Sequence, residues 1–397
     1  MEVRTIKDYA QAFSGYAFSS EDLVDTGHPV LKIGNIQNHH ILKETESFYK
    51  KDITDKLKKY QLQKGDFLIA MTGAGSVGRA GKMVNFEEGY LVNQRVAIIR
   101  PDLSRTDPDY LFYYFSMGYV EKYLYNLGIG AGQPNISAND ILKTKVSFPD
   151  LTKQKKIGEI LSTYDELVEN NNKRIKLLEQ MAENLYKEWF VRRRNPAWEY
   201  IRLSDFGYSL ESGSRPKGGI DASLQDGYPS LGAEAIGRLG EFDFSSTKLV
   251  PEDFYKKMKR GIGKDKDILL YKDGAYIGKV TLFMDEFPYK DYSINEHVFL
   301  MRSNEPLYQY YLYFTLALPQ YFTQMQNLNR NAAQPGLTGK DIDTLKLYSP
   351  DEDTIRKFNS AIEPMMHNIF SLAKKNQILI KQRDLLLPRL MSGKLEV

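Results

Sequence analysis

The sequence repeats itself at a spacing of about 200 residues, and a chain built that way folds as two copies of one kind of domain. Gln133-Pro134-Asn135-Ile136-Ser137 followed by Asp140-Ile141 returns as Gln334-Pro335-Gly336-Leu337-Thr338 followed by Asp341-Ile342, an offset of 201, and Pro149 returns as Pro350. Upstream, Asp66-Phe67-Leu68-Ile69 matches Asp267-Ile268-Leu269-Leu270, and Asn93-Gln94-Arg95-Val96 matches Asn295-Glu296-His297-Val298. Ser14-Gly15 and Gly27-His28-Pro29-Val30-Leu31 return as Ser212-Gly213 and Gly227-Tyr228-Pro229-Ser230-Leu231. Solenoid units repeat every ~20–50 residues, so this period marks a duplicated domain. Two similar modules do the same kind of job at two places.

A length of 397 residues suits two to four domains. With 42% hydrophobic and 26% charged residues the composition is soluble and globular. No apolar run approaches the ~18 residues that a membrane span needs. Met1-Glu2-Val3-Arg4-Thr5 lacks a signal peptide's apolar stretch, so a cytoplasmic location is expected. The absence of cysteine excludes disulfides, thiolate nucleophiles and iron–sulfur clusters. Of five histidines only His39 and His40 are neighbours, and no HExxH spacing occurs, so no metal site is expected. Net charge is only +3, but basic residues cluster at Lys56, Lys58 and Lys59; Lys153, Lys155 and Lys156; Arg192-Arg193-Arg194; and Lys256, Lys257, Lys259 and Arg260. Solvated surface explains any one cluster; their presence in both repeats points to a phosphate-facing surface.

Each repeat has a mixed part and a helical part. Short apolar runs such as Phe67-Leu68-Ile69-Ala70 and Val96-Ala97-Ile98-Ile99, set between turns, read as strands. The aromatic segment Tyr110-Leu111-Phe112-Tyr113-Tyr114-Phe115 follows a helix-start pattern, Asp107-Pro108-Asp109, and recurs as Tyr311-Leu312-Tyr313-Phe314. Contiguous apolar residues favour a helix packed on a sheet over a base-stacking platform. The expected divisions are residues 1–150 and 195–350 for the mixed modules, and 151–194 and 351–397 for the helical spacers.

Between Lys153 and Arg192 one seam carries Ile157, Leu161, Tyr164, Val168, Asn171, Ile175, Leu178, Ala182, Leu185 and Trp189, alternating four and three residues apart as in a coiled coil. Adding 201 gives Phe358, Ile362, Met365, Ile369, Leu372, Asn376, Leu379, Arg383, Leu386 and Leu390. Pro364 lies inside the second helix, where a kink or break is expected. Antiparallel pairing relates the halves by an approximate two-fold axis. It also sets Val168 against Leu379, Leu178 against Ile369, Leu185 against Ile362, and Asn171 against Asn376, the last a polar pair that fixes register. About 40 helical residues make a rod of roughly 60 Å, against ~34 Å per turn of DNA. Such a rod suits a ruler.

Gly73-Ala74-Gly75-Ser76-Val77-Gly78 fits GxGxxG, but its copy, Gly274-Ala275-Tyr276-Ile277-Gly278, is one residue shorter and lacks the middle glycine, and no amphipathic helix follows. A basic residue, Arg79 or Lys279, follows both turns, which fits a loop presenting backbone and a cation to DNA better than a dinucleotide site. No Asn-Pro-Pro-Tyr or Asp-Pro-Pro-Phe methyltransferase tetrapeptide, P-loop or spaced nuclease cluster appears, so the chain is expected to be non-catalytic. Gln94-Arg95 and Glu296-His297 differ inside a repeated frame. Surface drift accounts for such changes; so does a fixed scaffold presenting different readers, since Arg suits guanine, Gln adenine and Glu cytosine.

Taken together, these features resemble the specificity subunit of type I restriction–modification systems, over essentially the whole chain. The likeness is strongest in residues 133–161, in Tyr186-Lys187-Glu188-Trp189-Phe190-Val191, and in Leu387-Pro388-Arg389-Leu390-Met391-Ser392-Gly393-Lys394-Leu395. It implies an α+β fold: two similar mixed α/β target recognition domains separated by two long antiparallel coiled-coil helices with pseudo-two-fold symmetry. It further implies that each domain reads one half of a split site in double-stranded DNA. The helices then act as spacer and as docking surface for two methyltransferase subunits, which nuclease/translocase subunits join. S-adenosylmethionine, ATP and Mg²⁺ belong to those partners and no cofactor to this chain. Candidate DNA contacts are Ser76, Arg79, Gln94 and Arg95 in the first module and Tyr276, Lys279, Glu296 and His297 in the second. Trp189, Phe190 and Leu390 are candidates for docking, with core packing the competing role for Trp189 and Leu390. The alternatives are a coiled-coil adaptor that reads no DNA, and a lone methyltransferase or nuclease, which the missing motifs disfavour.

Overall fold

The structure, a computed structural model, describes every residue except Met1, Asn38, Ala131, Ala222, Ala275 and 331–335. Residues Gln334 and Pro335 of the repeated motif therefore lie outside the described residues. The chain divides into two compact units, Met1–Glu169 with Ile378–Val397, and Asn170–Gln377. Each unit thus combines the mixed module of one half with a helix segment supplied by the other half.

The same four-strand order recurs in both. In the first unit Ala10–Ser14, Val96–Pro101, Phe67–Ala70 and Ala80–Lys82 lie side by side, and His39–Ile41 and Ile36–Gln37 extend the sheet. In the second the order is Tyr208–Ser212, Val298–Ser303, Asp267–Tyr271 and Val280–Phe283. The apolar runs are continuous because both faces of the first sheet are covered. Phe67, Ile69, Ala97 and Ile99 enter one core, while Leu68, Ala70, Val96 and Ile98 enter another on the opposite face. A smaller sheet stands beside each, built on His28–Leu31 in one unit and Tyr228–Leu231 in the other.

Helix Pro108–Phe115 starts where the sequence pattern places it, with the Asp107 carboxylate accepting the Tyr110 N–H at 2.9 Å. Tyr110, Phe112, Tyr113 and Phe115 are core residues, not a base platform. The repeated Ser137/Asp140 and Thr338/Asp341 pairs are capping boxes opening helices Ala138–Leu142 and Gly339–Asp343. Repeated Asp66 and Asp267 are structural as well. Arg100 grips Asp66 bidentately at 3.0 and 2.6 Å, and Arg302 grips Asp267 at 2.6 and 2.7 Å, with both carboxylates almost wholly buried. Removing one partner of such a pair costs about 3–5 kcal/mol.

The central helix runs Leu151–Tyr186 and continues as a π turn through Lys187–Arg192; the distal helix runs Glu352–Met391. In the first unit Ile157 and Leu161 share a core with Leu387 and Leu390. Beside them Arg383 Nη1 donates to the buried Asp165 carboxylate, to which the Tyr113 hydroxyl also donates. In the second unit Asn171 Nδ2 donates to Asn376 Oδ1 at 2.8 Å, and the Phe190 and Phe358 rings meet edge to face at 4.9 Å. Residue numbers rise on one helix as they fall on the other, so in each unit the segments run antiparallel. The expected break at Pro364 does not occur. The helix is continuous through Pro364, which lies with Ser360 on its exposed face, while Ile362 and Met366 anchor the opposite face. Met366 and Leu387 are buried where the seam pattern favours Met365 and Leu386, because each helix segment also packs on the module of its unit and its buried stripe is broader than a coiled-coil seam.

His39 holds a left-handed backbone conformation, φ 69°, and its Nδ1 is buried without a hydrogen-bond partner. Burial, followed by the charge of Arg383, pushes its pKa down to about 4. The folded chain then carries neutral His39 at a pH where the unfolded chain, titrating near 6.5, binds a proton. This contribution is complete above pH 6.5 and is lost as pH falls toward 4, for a total of about 3 kcal/mol. His39→Gln should flatten the fall of melting temperature between pH 6.5 and 4; parallel profiles for variant and parent would refute the assignment.

Candidate nucleic-acid interface

Three turns converge at one rim of the first unit. Strand Phe67–Ala70 leads into the glycine-rich turn 71–79, strand Val96–Pro101 follows the turn at Asn93-Gln94-Arg95, and the Gln133–Ile136 segment pairs with the glycine-rich turn. Backbone hydrogen bonds tie them together: Met71 N–H to Arg95 carbonyl at 3.1 Å, Ile136 N–H to Met71 carbonyl at 2.9 Å, and Gly73 N–H to Pro134 carbonyl at 3.3 Å. The Asn93 side chain accepts the Arg95 N–H at 3.2 Å. Gln94 and Arg95 are exposed on this frame. Ser76 and Arg79 are used differently. Arg79 donates to the Ser76 hydroxyl at 3.0 Å, the Gly75 carbonyl at 2.9 Å and the Ile36 carbonyl at 3.2 Å. Its guanidinium clamps the turn to the sheet.

The second unit repeats the frame and changes its contents. Lys272 N–H donates to His297 carbonyl at 3.0 Å, Leu337 N–H to Lys272 carbonyl at 2.8 Å, and Asn295 accepts the His297 N–H at 2.9 Å. Here the side chains bind one another. His297 Nδ1 lies 2.5 Å from the Asp273 carboxylate, and Arg215 reaches Glu296 at 2.7 Å. Lys279 Nζ sits 4.1 Å over the exposed Tyr276 ring. Asp273 and Arg215 are additions that sequence reasoning missed. The signal for Asp273 is the change from Thr72 at the repeat offset; for Arg215 it is proximity to the repeated Ser212-Gly213.

The glycine pattern has a packing cause. A Cβ on Gly78 would lie 2.8 Å from the Glu121 carbonyl oxygen, and one on Gly278 would lie 2.9 Å from the Met325 side chain. Both glycines therefore let the turn touch the neighbouring helix, Gly118–Leu127 or Pro319–Arg330. A strand follows each turn, Ala80–Lys82 or Val280–Phe283, so no helix N-terminus faces the loop as a nucleotide site requires.

Basic side chains recur on the smaller sheets' flanks. Buried Leu57 anchors helix Asp55–Lys58, leaving Lys56, Lys58 and Lys59 exposed. Helix Glu252–Lys257 and the three residues after it expose Lys256, Lys257, Lys259 and Arg260. Lys58 and Lys256 also make exposed ion pairs with Asp55 and Glu252, at 2.7 and 2.6 Å. Such pairs are too weak to withhold a lysine from a phosphate.

The docking candidates lie deeper than expected. Phe190 is 4% exposed, packed against Trp198, Tyr311 and Phe358, and Leu390 is 2% exposed in the first unit's core. Trp189 is half-buried against Phe358. All three serve the chain's own packing. The large apolar residues that the helices do expose include Leu177 at 58% and Ile378 at 56%, one in each unit and 201 positions apart.

The family model for the type I restriction modification DNA specificity domain matches residues 1–180 and again 195–381. The chain belongs to that family. It is 25% identical to the type I restriction enzyme MjaIX specificity subunit of Methanocaldococcus jannaschii, over 73% of this chain and 69% of that protein. It is 24% identical to the putative MjaX specificity subunit of the same organism, over 100% of this chain and 94% of that one. Among solved structures, the type I restriction–modification S subunit from M. genitalium shares the fold, with a TM-score of 0.60 at 15% identity, covering 98% of this chain and 96% of that one. Among the described residues no helix is long and apolar enough to cross a membrane, and no group of three or more His, Cys, Asp or Glu is placed to hold a metal ion.

The geometry separates two arginines of equal formal charge. Arg79→Ala removes the clamp on the first unit's turn and should lower stability by about 1–2 kcal/mol. Arg95→Ala should stay within about 0.5 kcal/mol of the parent. Thermal melts of the two variants decide this, and equal losses would contradict the assignment.

Proposed function

We propose that the two rims are reading heads, each contacting one half of a split target in double-stranded DNA. The observation that carries this reading is the common backbone frame around Asn93 and Asn295, which holds different exposed or half-exposed polar side chains in the two units. Arg95 and Gln94 present donors suited to guanine and adenine edges; Glu296 and His297, steadied by Arg215 and Asp273, present an acceptor and an imidazole. Tyr276 and Lys279 contact DNA beside them, and Ser76 and Arg79 shape the first rim. The lysines at 56, 58, 59, 256, 257 and 259, with Arg260, contact phosphates and give affinity without sequence preference.

On this reading the chain catalyses nothing. Methyltransferase subunits supply S-adenosylmethionine chemistry, and nuclease/translocase subunits supply ATP and Mg²⁺ chemistry. The long helices set the spacing between half-sites. Exposed Leu177 and Ile378, rather than Phe190 or Leu390, give each of two methyltransferase subunits an equivalent apolar contact.

Four experiments test the proposal. With methyltransferase subunits bound, the chain should protect two DNA patches flanking a weakly contacted gap, and an adaptor would protect none. Arg95→Ala should relax methylation preference at one position and weaken the cognate site by about 1–3 kcal/mol. Lys256→Ala combined with Lys259→Ala should weaken all sequences alike and reduce the salt slope by about 2. Unchanged preference in the first variant would remove Arg95 as a reader. For docking, Leu177→Asp and Ile378→Asp should each remove one methyltransferase subunit from the complex by native mass, and both together should remove two. Full stoichiometry in the double variant would reject this face.

A further inference from the structure

A duplicated chain whose two long helices pair with each other faces a competitor at every seam position: the same helix of a second copy. Most seam positions cannot tell the two apart. Ile157, Leu161 and Leu178 correspond at the offset of 201 to Phe358, Ile362 and Leu379, apolar in both halves. The buried polar positions differ. Asp165 corresponds to Met366, Ala182 to Arg383, Asn171 to Leu372, Ile175 to Asn376, and Tyr113 to Phe314.

In the folded chain each polar group meets its complement. Asp165 receives Arg383 and the Tyr113 hydroxyl, and Asn171 donates to Asn376, which in turn donates to Asn172 at 2.7 Å. Asp165, Asn376 and Arg383 are all buried. Two first halves paired in the same register would set Asp165 against Ala182 and Asn171 against Ile175. Two second halves would set Arg383 against Met366, with Phe314 in place of the tyrosine hydroxyl, and Asn376 against Leu372. Arg383 would keep Asp384 of its own helix, at 2.8 Å, but not the carboxylate that its Nη1 addresses. Self-pairing therefore leaves buried Asp165 with only the Tyr113 hydroxyl of its own half, or buried Arg383 with only Asp384, and sets an asparagine amide against an apolar residue in every copy.

We propose that the helix seam is a partner-selecting interface: it accepts the opposite half of this chain, from the same or another copy, and rejects its own. Cutting the chain, or exchanging halves between copies, then yields first-half·second-half pairs only. This inference does not depend on the reading of DNA.

The test starts from the full folded chain. A protease site is placed in the exposed segment 193–197, and the folded protein is cut. Isotopically light and heavy preparations are mixed, separated in urea and dialysed together, and native mass spectrometry counts the pairs. Light–heavy first-half·second-half pairs should form freely. Self-pairs of either half should fall more than about a hundredfold below their statistical share. A chain carrying D165M with N171L, which gives the first half the second half's apolar residues, should gain first-half·first-half pairs. The exchange Asp165→Arg with Arg383→Asp controls for folding and should restore opposite-half pairing alone. Wild-type self-pairs at the statistical share overturn the proposal. So does a D165M/N171L chain that pairs with the opposite half yet never with itself.

Discussion

Neither half of this chain closes its own core. Leu387 and Leu390, nearly 400 residues from the N-terminus, complete the packing around Ile157, Leu161 and the aromatic helix of the first module. Ile175, Ala182, Tyr186 and Phe190, which precede the second module, do the same for the second. Non-local closure of this kind makes each unit's stability depend on residues encoded in the other half. It also explains why the apparent docking residues Phe190 and Leu390 are buried. A large apolar side chain at the end of a long helix is drawn first into the nearest incomplete core.

Within that constraint the two units divide their polar residues by purpose. The Arg100–Asp66 and Arg302–Asp267 staples are the same device in both copies, joining the strand 96–101 or 298–303 to the start of its neighbour. Each lies within a single module, so they favour neither partner. The Tyr113–Asp165–Arg383 cluster occurs once, and its counterpart Phe314–Met366–Ala182 is apolar. A buried ion pair adds little net stability over an apolar one, because desolvation offsets attraction. Its asymmetry in a duplicated chain is better explained by selection among pairings than by stabilisation.

Much of this was legible in the sequence. The offset of 201 exposed the duplication, continuous apolar runs gave the strands, and Asp107-Pro108 marked a helix start that the structure keeps. What escaped depended on which side of an element meets a neighbour. A seven-residue repeat could not show that Met366 and Leu387 turn inward, because the module packed alongside widens the stripe. Pro364 read as a site of kink or break because sequence does not reveal that it lies on the exposed face of a continuous helix. Arg79 read as a free cation because its acceptors include the carbonyl of Ile36, 43 residues away.

The rims show why such a scaffold tolerates change in what it presents. Backbone groups and one asparagine side chain hold each turn, so residues 94–95 or 296–297 can be replaced without dismantling the frame. The two units are not equally free, however. Gln94 and Arg95 stand exposed, whereas His297 is tied to Asp273, and Glu296 to Arg215. A substitution at His297 leaves a carboxylate whose partner has gone, and one at Glu296 releases a guanidinium into the same rim. On the proposed reading, new preferences in the first unit arise through single residues, while those in the second require its charged groups to change together.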